Sequence, residues 1–314
     1  MNRYLAGRIG QAVLVLWAAF TLSFVLLQAL PGDAIMIKFE NPELGLSPDQ
    51  IAELRLYYGA DQPLILQYFQ TLVGFLSGDF GYSVETGTPV IERIAEGLPA
   101  TAQLATAAFL LAVVLAVTIA FVSSYTRFAW LRTVLLGVPS LFVSIPTFWL
   151  GILLIQVFSF QLGLVPTIGG TDAQLLILPV ITLAVPISAP LAQVLCRSLD
   201  EVYTRPFVSV AVAKGASRQW VLWRHVARNA LLPTLTIAGL TIGELIAGSV
   251  ITETVFGRNG IGRLTEQAVT AQDIPVLQAI VILAAFVFVT VNLLVDLLFP
   301  ILDPRLKGRV GVSA

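Results

Sequence analysis

The chain alternates long apolar stretches with polar ones. Six apolar stretches reach the ~20 residues that a helix needs to cross a bilayer: Ile9–Leu30, Pro99–Ser123, Thr133–Phe160, Leu175–Leu195, Pro233–Phe256 and Val276–Pro300. They predict an all-α integral membrane protein with six transmembrane helices. Arg3 and Arg8 before the first stretch give it the outline of a signal peptide. It is of spanning length, however, and no small-residue cleavage site closes it, so it reads as an uncleaved first helix. The third and fourth stretches carry Pro139, Pro146, Pro179, Pro186 and Pro190. Proline removes a backbone donor and kinks a helix, which lipid tolerates where neighbouring helices or a water-filled cavity satisfy the freed carbonyls. The kinks suit a bundle lining a path, or packing alone.

The polar stretches alternate in charge. Pro31 to Leu98 holds ten carboxylates against Lys38, Arg55 and Arg93. The next loop has Arg127 and Arg132, and Gln161 to Gln174 has no Lys or Arg. Cys196 to Leu232 is strongly basic, with Arg197, Arg205, Lys214, Arg218, Arg224 and Arg228 against Asp200 and Glu201. Gly257 to Pro275 mixes both signs, and the tail ends with Arg305, Lys307 and Arg309. With both termini cytoplasmic, 13 of the 18 basic residues lie on the cytoplasmic side, the positive-inside pattern. The chain then divides into the N-terminus with the first helix (1–30), an extracytoplasmic element (31–98), a core of five helices (99–300) containing the basic loop 196–232, and a cytoplasmic tail (301–314). The extracytoplasmic stretch is too long for a mere connection. Ser47-Pro48-Asp49-Gln50 is a helix start, with Ser as N-cap and Pro at the first helical position. Gln67 to Leu76 predicts a second short helix, so the element is expected to be small and partly helical.

Composition agrees with a chain mostly in lipid: 57% hydrophobic and 12% charged, where a soluble domain carries about 25% charged residues. One cysteine, Cys196, excludes an internal disulfide and a CxxC site. One histidine, His225, excludes an HExxH metal site. The three lysines, Lys38, Lys214 and Lys307, do not follow a glycine, so there is no phosphate-wrapping P-loop, and there is no GxSxG elbow. No catalytic residue, metal ligand or cofactor is expected in this chain, and no nucleic-acid partner; the bilayer is the evident one.

The basic loop has internal structure. Arg205-Pro206-Phe207 is a helix entry, and Phe207 to Lys214 predicts a short helix. Gly215 breaks it, because glycine takes left-handed backbone angles freely. Ser217 can cap a second helix through Trp220, Trp223 and Val226 to about Asn229, with Pro233 beginning the next span. Such a knob could dock in another protein; an interfacial segment with its tryptophans at the headgroups fits the spacing equally. Ionisable residues inside spans are functional candidates. Glu244 lies mid-way in the fifth, either lining a substrate path or bonding helix to helix. Asn292 and Asp296, four apart in the sixth, share a face and favour a structural bond over a place on the path.

Ala213-Lys214-Gly215, nine residues, His225, two residues, Arg228-Asn229-Ala230-Leu231 and then Pro233 resemble the cytoplasmic EAA loop of ABC importer permeases, most closely the peptide/nickel type and its "B" member. Further matches are Leu30-Pro31-Gly32-Asp33, Gly78-Asp79-Phe80-Gly81, Thr252-Glu253, Gly260-Ile261-Gly262-Arg263, Asp273-Ile274-Pro275, Asn292 to Leu298 and Asp303-Pro304-Arg305. Their order and spacing cover nearly the whole chain. The usual Arg-Thr-Ala-Arg before Ala-Lys-Gly is replaced here by Ser209, Val210, Ala211 and Val212, and the glutamate that names the motif is absent.

The resemblance implies a type I ABC importer permease fold in a bacterial inner membrane. It implies a homologous second permease, two cytoplasmic ATPase subunits that use ATP and Mg, and an extracytoplasmic binding protein. Ala211, Ala213, Lys214, Gly215, His225, Arg228 and Asn229 would form the ATPase-coupling loop; Glu244, Asn292 and Asp296 are candidates for the path. The expected substrates are di- or oligopeptides, with nickel or other metal chelates, opines or glutathione as alternatives. An ion-coupled secondary transporter would need paired intramembrane charges and inverted repeats, neither of which the sequence offers, and a membrane-embedded enzyme would need a catalytic constellation.

Overall fold

The computed structural model describes residues 2–28, 47–50 and 62–302. Among these, regular structure is helical, and one isolated antiparallel bridge joins Tyr82 and Pro89. The helices are α1 (Asn2–Gln28), α2 (Leu64–Ser77), α3 (Val90–Tyr125), α4 (Ala129–Ser144), α5 (Thr147–Leu154), α6 (Asp172–Tyr203), α7 (Pro206–Ala213), α8 (Arg218–Val221), α9 (Ala227–Phe256), α10 (Ile261–Thr270) and α11 (Ile274–Leu302). Among the described residues, five stretches are long and apolar enough to span a membrane: Ala6–Leu27, Val90–Tyr125, Asp172–Tyr203, Gln219–Phe256 and Ile274–Leu297. The remaining expected span, the third, Thr133–Phe160, is a broken pair: α4, then α5 continued as π-helix to Gln161, bent by 100° between them. Ile145 (φ −87°, ψ 119°) and Pro146 (φ −61°, ψ 132°) are extended there, because a proline disfavours helical angles in the residue before it.

The other prolines do not break their helices. Pro179, Pro186 and Pro190 all lie inside α6. Their spacings of seven and four residues put them on one face, within about 40° of each other at 100° per residue. Two expected boundaries are corrected. The second span begins at Val90, with Pro99 inside it. Pro233 does not begin the fifth: α8 passes through a π-helical turn, Leu222–Val226, straight into α9, which contains Pro233. In a helix this long a single missing N–H does not end the run.

The expected caps form. Ser47 Oγ accepts from Gln50 N at 3.3 Å, and Gln50 Oε1 from Ser47 N at 2.9 Å; the continuation of that helix, and the Leu30–Asp33 and 303–305 motifs, lie outside the described residues. The short helix expected over Gln67–Leu76 is α2. Thr171 and Gln174 form a capping box that starts α6.

The chain forms two compact units. One comprises Ala100–Arg258 and the end of α11 from Thr290. Its buried cluster joins Leu104, Ala108, Ala112, Ala116 and Ala120, at four-residue spacing on α3, with Leu183, Leu191, Leu195 and Leu199 of α6. Small side chains let helix backbones approach closely, which matters in lipid because burial from water no longer drives helices together. The other unit comprises Asn2–Pro99 and Asn259–Val289. Val90 and Ile94 of α3 pack there with Leu264 and Ala268 of α10 and with Val276, Ala279 and Ile280 of α11.

Candidate functional site

The basic loop folds as a hairpin of helices. Pro206 opens α7, where its missing donor costs nothing and its ring pre-sets the helical angle. The helix ends at Lys214, and Gly215 takes φ +84°. Gly215 N donates to Val212 O at 2.9 Å and Ala216 N to Ala211 O at 3.1 Å, closing the carbonyls of the last turn. Ser217 Oγ then accepts from Trp220 N at 3.3 Å, capping the returning helix.

His225 joins the two arms. Its ring meets Trp220 edge-on at 4.9 Å and lies 6.2 Å from Phe207 of α7. Asn229 Nδ2 donates to His225 O at 2.7 Å, satisfying a carbonyl at the end of the π-helical turn. Trp223 stacks on Phe121 of α3, 4.7 Å apart and 12° from parallel, and Gln219 Nε2 reaches Tyr125 Oη at 3.3 Å. Val208, Val221, Leu222 and Val226 are buried beneath the hairpin. Exposed apolar side chains remain on the hairpin: Val210, Val212 and Trp220 are each more than half exposed.

A hollow of about 660 Å³ lies between the arms, lined by Phe207, Val210, Ala211, Lys214, Gly215, Trp220 and His225 among others. Of the expected coupling residues, Ala211, Lys214, Gly215 and His225 meet there. Ala213 is exposed at the end of α7, while Arg228 and Asn229 are exposed on α9, away from the hollow's wall.

The expected path residues do not converge. Glu244 is exposed on α9. Asn292 is part-buried on α11, and its Oδ1 sits 3.0 Å from where a Cβ on Gly239 would lie, so it packs against the bare backbone of α9. Glu244, five residues on from Gly239, is about 140° around that helix. Asp296 is part-buried one turn beyond Asn292.

Two fully buried carboxylates were not among the expected sites. Glu253, on α9, has no exposed surface, and its Oε1 accepts from Thr101 Oγ1 of α3 at 2.6 Å. Asp273, likewise sealed, accepts through Oδ2 from Ser83 Oγ and through Oδ1 from Val84 N at 3.1 Å; Glu85 N approaches Oδ2 at 3.4 Å and Arg93 Nη1 at 3.6 Å. The signal was present in both cases: Glu253 lies within an apolar span, and Asp273 immediately precedes another.

A multi-pass helical membrane protein with a helical hairpin at the end of two of its spans is the class that this geometry defines. Residues 108–308 match the family model of the binding-protein-dependent transport system inner membrane component, and residues 1–105 that family's N-terminal membrane component. The chain belongs to this family: it is an ABC importer permease of the inner membrane. It is 37% identical over 316 residues to a putative peptide transport system permease protein of Brucella abortus, covering 98% of this chain and 99% of that one. It is 34% identical over 310 residues to the glutathione transport system permease protein GsiC of Escherichia coli, covering 98% and 100%. Among solved structures, a chain of the methionine ABC transporter MetNI in an inward-facing form matches with TM-score 0.55 at 17% identity, over 68% of this chain and 97% of that one. An amino acid ABC transporter matches with TM-score 0.51 at 20% identity, over 66% and 92%. These likenesses give the fold: a type I ABC importer permease.

Proposed function

We propose that this chain forms half of the translocation path of a peptide importer and carries ATPase closure into the membrane through the hairpin at Pro206–Asn229. Both termini and the hairpin are cytoplasmic. The partners are a homologous permease, two ATPase subunits that bind and hydrolyse ATP with Mg, and an extracytoplasmic binding protein; this chain itself has no catalytic site. The observation that carries the coupling role is the hairpin's construction. Trp223 stacks on Phe121 of α3, while Val210, Val212 and Trp220 are each more than half exposed. A push on the exposed face is transmitted to α3 and α9, because packed elements move as units.

The peptide reading is supported by the near full-length likeness to a putative peptide permease. Glutathione is a second reading, favoured by the likeness to GsiC; a tripeptide is also chemically close to the first. The test is purification of the tagged chain from its native membrane, with identification of co-purifying proteins and an ATP turnover assay. Recovery of a second permease, ATPase subunits and turnover is expected. The accompanying binding protein should then bind short peptides in preference to glutathione and metal chelates. Recovery of the chain alone, without turnover, would overturn the importer assembly.

A further inference from the structure

We propose that α2 is a membrane-embedded helix, seated in the leaflet beside the C-terminal half of α1 with its outer stripe against lipid acyl chains. The inference rests on α1 being a membrane span. It departs from the expectation that the whole stretch 31–98 stands in water.

The depth follows from specific contacts. Tyr68 Oη and Thr21 Oγ1 are 2.8 Å apart. The Tyr68 ring meets Phe20 at 5.4 Å and Phe24 at 5.3 Å, and Phe75 meets Phe20 at 5.4 Å. The apolar span of α1 runs to Leu27. Thr21 is six residues short of that end, which at 1.5 Å per residue is about 9 Å inside it. Tyr68 and Phe75, seven residues apart on α2, both touch this level. The helix therefore crosses α1 below the end of the span, within a hydrocarbon layer of about 30 Å.

The chemistry of α2 suits that depth. It has no charged residue. Ile65, Phe69, Val73 and Leu76 are 72%, 56%, 63% and 80% exposed and fall within about 80° of one another around the helix. Such a stripe is costly in water and at no cost in lipid. Three polar side chains on the helix are satisfied locally, while Gln70 is exposed: Gln67 Nε2 donates to Gln62 O, Thr71 Oγ1 to Gln67 O and Ser77 Oγ to Gly74 O, at 2.8, 2.8 and 2.9 Å. Leu22 and Leu26, at the same end of α1, are exposed as well. The polar stretch that follows α2 begins at Asp79.

Spin labels on single cysteines test this, in a Cys196→Ala background and with the full chain and its co-purified subunits in lipid nanodiscs. Ile65→Cys, Phe69→Cys and Val73→Cys are read for collision with oxygen, which favours lipid, and with a nickel chelate, which stays in water. Leu14→Cys on α1 and Thr88→Cys serve as lipid and water references. The proposal expects the oxygen-to-nickel ratio at all three α2 sites to match Leu14 and exceed Thr88. Ratios matching Thr88 would overturn it in favour of a water-exposed helix. Low collision with both reagents would overturn it in favour of a protein partner such as the second permease. A water-like ratio at Leu14 itself would refute the span reading of α1 instead.

Discussion

Asp273 offers both oxygens to one small turn: Ser83, two backbone amides and, at 3.6 Å, the Arg93 guanidinium. A fully buried carboxylate is tolerable only with such partners. Asp273→Ala would leave the two backbone amides without their acceptor and take the buried carboxylate from beside Arg93, which would keep only Ser83 Oγ at 3.1 Å and Glu85 at 3.8 Å. Breaking a buried pair in this way costs about 3–5 kcal/mol, so a clear fall in the unfolding temperature of the purified complex is expected; an unchanged melting curve would show that the turn holds without it. Glu244 calls for the opposite result. It is exposed on its helix, so Glu244→Gln should leave stability and ATPase association unchanged while slowing uptake. Unaltered uptake would make the residue idle. Asn292 shows why a sequence ranks such groups poorly. Its spacing with Asp296 puts both on one face, but what decides its role is Gly239 on another helix, 53 residues away in the chain.

At the scale of elements, the hairpin at 206–229 was legible almost residue by residue, because its signals are local: a proline opening, a glycine turn and a serine cap. What followed was not. Proline gives the same local signal at 146, 186 and 233, but the chain bends by 100° at the first and runs on as helix through the other two. The difference lies in neighbours: α6 is packed along its length by buried side chains from Leu178 to Val202, which hold it helical at a missing bond. Gly215 supplies the element's sharpest test. At φ +84° an alanine costs about 1–2 kcal/mol, and proline, fixed near −65°, cannot take the angle at all. Gly215→Pro should therefore leave the spans inserted while ATPase co-purification and ATP turnover are lost. Gly215→Ala should retain both at reduced levels. Normal turnover and uptake in Gly215→Pro would remove the hairpin from the coupling path.

At the scale of the whole molecule, orientation follows from charge and is open to direct measurement. The basic residues gather in the short N-terminal segment, the loop after α3, the hairpin and the tail, and the carboxylates in the stretch 31–98. Lys and Arg in short loops set orientation, whereas segments beyond about 60 residues cross largely regardless of charge. The 68-residue stretch 31–98 is therefore weak evidence, and the basic loop 196–232 that contains the hairpin is strong evidence: translocating it would carry six cations across the membrane. In a Cys196→Ala background, Thr88→Cys should react with a membrane-impermeant maleimide on intact cells. Val212→Cys, more than half exposed on the hairpin, should react only after permeabilisation. Prior assembly with ATPase subunits should then slow the Val212→Cys reaction further, because the apolar face that carries the label is the one proposed to be covered. Labelling of Val212→Cys on intact cells would invert the chain and put the hairpin beyond the reach of any cytoplasmic ATPase. Equal rates with and without ATPase subunits would keep the orientation but move the docking surface elsewhere.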